Sequence, residues 1–121
     1  MGAGFKDREY ESAGARIIYS GEEIFARADL VLKVARPLQS ELDWLKPGAA
    51  IAGLLHLASA RRDKVDALLE KKITSIAYEQ IQLPDGSLPL LRPFSQIAGS
   101  MTAQVAARLL QNNWGGKGIL L

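Results

Sequence analysis

The stretch Ala50-Ile51-Ala52-Gly53-Leu54-Leu55-His56-Leu57-Ala58 constrains this chain more than any other. It is a continuous apolar run bounded by Lys46-Pro47-Gly48 before and Arg61-Arg62-Asp63 after, which is the pattern of a strand covered on both faces. The only histidine of the chain stands where that run stops. Ligands of open α/β sheets collect at the carboxyl ends of such strands, so His56 is a candidate catalytic residue, able to give or take a proton near neutrality. The alternative for a lone histidine among apolar residues is a hydrogen-bonded core residue, and the run itself leaves both open.

The flanking sequence supplies the rest of a sheet. Asp7 is placed to cap a short helix through Ala13, ended by Gly14, and the β-branched run Ala15 to Tyr19 predicts a strand. Ser20-Gly21-Glu22-Glu23 is a capping box opening a helix that buries Ile24, Phe25 and Ala28. A strand over Leu30 to Ala35 follows, then a helix capped by Ser40 with Leu42 and Leu45 on one face. After the central run, Arg61 to Lys72 is amphipathic through Val65, Leu68 and Leu69, its closing lysines suiting the negative end of the helix dipole. Ile73 to Tyr78 is the fourth strand. Alternating strands and helices with long connections predict an α/β fold: an open, mainly parallel sheet with helices on both faces, Rossmann-like or flavodoxin-like.

Beyond Tyr78 the rhythm changes. Pro84-Asp85-Gly86 reads as a tight turn between short extended arms, Ile81 to Leu83 and Leu88 to Leu90, a small β-hairpin flap that Pro84 and Pro89 confine to an edge. Ser95 then opens a long C-terminal helix to about Leu110, with Ile97, Met101, Val105 and Leu109 in one stripe and small residues around the rest. Such a helix is expected to pack closely or to join a second body.

Composition narrows the function. Fifteen basic residues against thirteen acidic ones leave a net charge of only +2, and the basic residues are scattered rather than clustered, so no nucleic-acid partner is expected. With no cysteine and one histidine, thiolate and multi-histidine metal sites are excluded. No apolar run approaches the length of a membrane span, and the first residues lack the apolar core of a secretory signal. The expectation is a cytoplasmic protein with no membrane partner. Both ends look cut: a glycine-rich start with Gly2-x-Gly4, and a Gly115-Gly116-x-Gly118 segment feeding a strand-like Ile119-Leu120-Leu121. Neither glycine cluster has the spacing of a pyrophosphate loop, and both read as flexible connectors.

Lys33 is the second unusual residue, because an ammonium inside an apolar strand either snorkels to solvent or meets an anion. If its strand and the central strand are parallel neighbours, Lys33 and His56 face one crevice. A cation and an imidazole there would polarise a carbonyl and shuttle its proton, equipment suited to a keto group or an imine.

Several segments resemble the amino-terminal domain of alanine dehydrogenases and the related transhydrogenase α subunits. They are Gly2-Ala3-Gly4-Phe5, Asp29-Leu30-Val31-Leu32-Lys33-Val34, Leu55-His56-Leu57-Ala58, Ile76-Ala77-Tyr78-Glu79, Leu83-Pro84-Asp85-Gly86-Ser87-Leu88-Pro89-Leu90-Leu91, Pro93-Phe94-Ser95 and Gly115-Gly116-x-Gly118. The histidine and the hairpin favour alanine dehydrogenase. The resemblance implies NAD-dependent oxidative deamination of L-alanine to pyruvate and ammonia, with Lys33 binding the substrate, His56 as general acid/base and Ser95 beside the nicotinamide cofactor. It implies residues 1–111 as a partial amino-terminal domain and 112–121 as a linker toward an NAD-binding domain, NAD being held mainly there. A substrate-binding arginine and a catalytic aspartate of the family have no counterpart here. The chain alone is therefore expected to be inactive; an unpaired sheet edge and the exposed small-residue face of the last helix are expected to make it associate or fold marginally, and the full-length enzyme is expected to be a homo-oligomer. A transhydrogenase-like or saccharopine-dehydrogenase-like relative, or a non-catalytic module that binds a small acid or a partner, are the alternatives.

Overall fold

The structure is a computed structural model describing residues 4–119, and it divides into two compact units at Ala77/Tyr78. The first holds α1 (Asp7–Ser12), α2 (Gly21–Arg27), β1 (Leu30–Leu32), α3 (Gln39–Trp44), β2 (Ala50–Gly53), α4 (Arg62–Glu70) and β3 (Thr74–Ala77). The strands form one parallel sheet in the order β1-β2-β3. Stepping twice in the same direction with right-handed crossovers puts α3 and α4 on one face, where they pack on each other and α3 packs on α2.

Register explains which residues make the core. Val31, Ile51 and Ser75 lie in one row across the sheet, while Leu32, Ala52 and Ile76 lie in the next and point the other way. Val31 and Ile51 join Phe25, Leu42, Leu45, Ala49, Leu55 and Leu68 in a single buried cluster. On the opposite row Leu32 is 67% exposed and Ile76 40%. Only β2 answers to the doubly covered pattern, with Ile51 and Ala52 both buried.

Local chemistry accounts for the boundaries. Ser20 Oγ accepts from the Glu23 N–H at 3.2 Å, so the cap on α2 forms where its sequence places it. By contrast α3 starts before Ser40, because the Glu41 carboxylate accepts from the Leu38 N–H at 2.6 Å and closes the first turn. Its far end is closed from α4: Lys71 Nζ donates to the carbonyls of Leu42 and Leu45, both at 2.9 Å, and to that of Asp43. Lys71, which follows α4, thus spends its three donors on the carboxyl end of a neighbouring helix. Leu69, expected on the buried stripe of α4, is 68% exposed.

The strand expected over Ala15 to Tyr19 is absent; the segment has no ladder partner among the described residues, and β-branched residues form strands only where a neighbouring strand receives them. β2 stops at Gly53, well before the apolar run ends, because His56 takes a left-handed conformation (φ 49, ψ 44) and starts a 3-10 turn over Leu57–Ser59.

In the second unit, the Pro84-Asp85-Gly86 turn forms as its residues suggest. The Leu83 N–H donates to the Ser87 carbonyl at 2.9 Å, and Asp85 Oδ1 accepts from the Ser87 N–H and hydroxyl. The arms on either side form no strand among the described residues. The long helix, α5 (Arg92–Leu109), starts before Ser95, with Pro93 in its first turn where the missing N–H costs nothing. Gly115, Gly116 and Gly118 fold back on its carboxyl end, the Gly118 N–H donating to the Leu110 carbonyl at 2.9 Å. Most of the Gly2-x-Gly4 connector and of the strand-like Ile119-Leu120-Leu121 lies outside the described residues.

Candidate functional site

Lys33 extends β1 by one residue, its N–H donating to the Ala52 carbonyl at 2.8 Å. Two residues beyond Val31, its side chain leaves the sheet on the helical face. There the ammonium meets both oxygens of Glu41, at 2.6 and 2.7 Å, and stands 5.9 Å from the centroid of the Phe25 ring. The side chains of the pair are 20% and 15% exposed. Of the two fates open to a lysine in an apolar strand, this one meets an anion. Partial burial pushes the Glu41 carboxyl up. The hydrogen bonds from Lys33 and the Leu38 N–H, with the charges of Lys33 and Lys64, outweigh burial and hold it below the ordinary 4.5.

His56 is half-buried and lies on the neighbouring strand's exit. Left-handed backbone is uncommon outside glycine, though histidine tolerates it better than most residues. Here it is pinned from the next turn, the His56 carbonyl accepting from the Ser59 N–H at 3.1 Å and its hydroxyl at 3.2 Å. The two exits touch through Gly53. A Cβ at that position would lie 2.5 Å from the Lys33 carbonyl oxygen, so only glycine lets the backbones approach so closely. His56 is three residues past Gly53, which keeps their Cα atoms within about 11 Å. Lys33 and His56 therefore occupy the carboxyl ends of adjacent parallel strands.

A cavity of about 210 Å³ lies close by, floored by Leu42, Leu55, Leu57 and Leu68 and edged by Arg36 and Lys64. Neither Lys33 nor His56 lines it, so it belongs to the packing between α3 and α4 rather than to the Lys33–His56 pair. Ser95 is in the second unit, in the first turn of α5, where its hydroxyl donates to the Leu91 carbonyl at 3.3 Å. Glu41 was not legible as a site residue. The available signal was an acid in the first turn of the helix that follows a strand ending on lysine.

Residues 1–98 match the family described as alanine dehydrogenase/PNT, N-terminal domain. The chain belongs to that family. It is 47% identical over 121 residues to the alanine dehydrogenase of Methanococcus maripaludis and 43% identical over 120 residues to that of Mycobacterium tuberculosis, covering 100% and 99% of this chain. A solved L-alanine dehydrogenase superposes with a TM-score of 0.87 at 42% identity, over 99% of this chain and 33% of that one. The chain spans about a third of the length of the relatives it matches, 32% for both sequences. The superposition agrees with the α/β parallel-sheet architecture derived from the strand order.

Two of the glycines are committed to close approaches of the backbone. Gly53 spends its missing side chain on the close approach to Lys33, and a Cβ on Gly116 would lie 2.3 Å from the Leu109 carbonyl oxygen, so that glycine is committed to the end of α5. No helix among the described residues is long and apolar enough to cross a membrane.

Proposed function

We propose that this chain is the substrate-binding domain of an NAD-dependent L-alanine dehydrogenase, which interconverts L-alanine with pyruvate and ammonia. The observation that carries the reading is likeness to an alanine dehydrogenase over 100% of the chain; a lysine and a histidine at the ends of adjoining parallel strands support it.

In this reading, Lys33 donates a hydrogen bond to a substrate oxygen and polarises the carbonyl carbon toward ammonia. His56 accepts and returns the proton that moves between water, amine and carbonyl, a role suited to imidazole at neutral pH. Ser95 lies beside the nicotinamide, and residues 112–121 lead toward the part of the enzyme that holds NAD. The assembled enzyme is cytoplasmic and homo-oligomeric. The chain alone is not expected to turn over.

The test is a chimera in which this chain replaces the matching third of the Methanococcus maripaludis enzyme. The chimera is expected to form NADH from alanine, and His56→Ala within it to lower kcat by about 100-fold or more, the usual worth of a general acid/base. The isolated chain is expected to form none. A chimera that binds NAD and folds but has no alanine activity, or one indifferent to His56→Ala, would end the reading.

A further inference from the structure

We propose that the cavity between α3 and α4 is a binding site for a small monocarboxylate with an aliphatic body of about six carbons, its chain on the leucine floor and its carboxylate on Arg36 and Lys64. The walls come from the segments that leave two adjacent parallel strands: Arg36 and Pro37 follow β1, and Leu55, Leu57 and Ser59 follow β2. Ligands of open parallel sheets collect on that side. Three of the floor leucines, Leu42, Leu55 and Leu68, are buried in the core, so the floor is rigid and dry. An apolar cavity of about 150 Å³ takes a benzene molecule, and this one, at about 210 Å³, has room for a six-carbon body and a head group.

The rim fixes the charge of the head group. Arg36, Arg61 and Lys64 line it, and no acidic side chain does. Arg61 is already neutralised, its Nε and Nη2 donating to Asp63 at 3.2 and 2.8 Å. Lys64 Nζ gives one donor to the Pro37 carbonyl at 2.9 Å, which leaves two. Arg36 makes no ion pair or side-chain hydrogen bond among the described residues, so its whole fork is open to a carboxylate. Glu41 on α3 does not compete, since Lys33 and the Leu38 N–H hold its carboxylate and it does not line the cavity. A bare anion would use the rim and leave the leucines wet; a neutral apolar molecule would use the floor and leave both cations unmatched. Only a molecule carrying both parts satisfies the whole surface.

Occupancy has a natural reporter. Leu57 and Ser59 belong to the 3-10 turn that holds His56 in its left-handed conformation, and both line the cavity. A ligand resting on them touches the turn that sets the only histidine of the chain.

The experiment is an NMR titration of the 121-residue chain at neutral pH and constant ionic strength with hexanoate, acetate and 1-hexanol. Hexanoate is expected to give saturable shifts of the Leu55, Leu57 and Leu68 methyl groups and of the His56 ring. Acetate, which lacks the chain, and 1-hexanol, which lacks the charge, are each expected to bind about tenfold more weakly or worse. Arg36→Gln, at an exposed position, is expected to weaken hexanoate about tenfold and to leave 1-hexanol unchanged. Ala60→Met, which fills the cavity from its edge, is expected to abolish binding of both. Should the isolated chain associate, calorimetry on the chimera described above, with and without Arg36→Gln, measures the same order of affinities. Hexanoate that moves none of these resonances overturns the proposal. So does acetate or 1-hexanol binding as tightly as hexanoate, since the site would then be a charged patch or an apolar gap alone, and so does a folded Arg36→Gln with unchanged affinity.

Discussion

The two units of this chain both place large apolar side chains at regular positions and use them in opposite ways. In the first, Leu42, Leu45 and Ile51 are at most 2% exposed, sealed between a three-stranded sheet and the helices on one of its faces. In the second, Ile97, Met101, Val105 and Leu109 repeat every fourth residue along α5 and are each at least half exposed. Periodicity specifies that a helix will form and which side of it is apolar; what covers that side is settled by the rest of the fold. The contrast is sharpest in a pair of truncations. Ile51→Ala removes volume from a site with no exposed surface and is expected to lower stability by about 2–5 kcal/mol. Val105→Ala on α5 is expected to stay within about 0.5 kcal/mol, as for other surface changes. Urea unfolding of both variants measures the difference, and comparable losses would mean that α5 is as well covered as β2.

A smaller effect is expected where the first unit is tightest. Gly53→Ala would place a methyl group 2.5 Å from the Lys33 carbonyl oxygen, a backbone atom that moves only if β1 and β2 separate. The expected loss is about 1–3 kcal/mol, in the range of overpacked cores. Gly99→Ala, at a glycine of α5 with nothing within 4 Å, is the matched control and is expected to be neutral or stabilising. If Gly53→Ala were as mild as Gly99→Ala, the strand ends would be looser than their geometry indicates, and Lys33 and His56 with them.

The same contrast explains what the amino acids alone disclosed. β2 was legible because a doubly covered strand must be apolar without interruption, and the crossovers were legible because strand and helix alternate. Ala15 to Tyr19 misled because β-branched residues report compatibility with a sheet and not the presence of a partner strand. The early end of β2 was hidden, since nothing in Leu54-Leu55-His56 marks a left-handed turn. Lys33 and His56 stood out as chemical anomalies in apolar runs, whereas Glu41, on a short polar helix, looked like any surface acid. Its meaning comes from the fold, which lays the first turn of α3 against the end of β1.

The smallest expected effect concerns that carboxylate, and it separates the units by pH. The Glu41 carboxyl titrates below its ordinary 4.5 in the folded chain because its bonds to Lys33 and Leu38 and nearby positive charge outweigh partial burial. A group whose folded pKa is depressed binds its proton more readily when unfolded. It therefore contributes stability that is fully present above the unfolded value, and that contribution is lost as pH falls through the folded one. The first unit should accordingly weaken on acidification below about 4.5, and Glu41→Gln should remove that part of the slope. In α5 the only charged side chains are Arg92 and Arg108, which stay protonated throughout, so amide exchange within that helix should be insensitive to the substitution. Urea midpoints of both proteins between pH 3 and pH 6, with exchange read helix by helix, decide it: parallel acid slopes would show that the Lys33–Glu41 contact contributes no net stability to the fold.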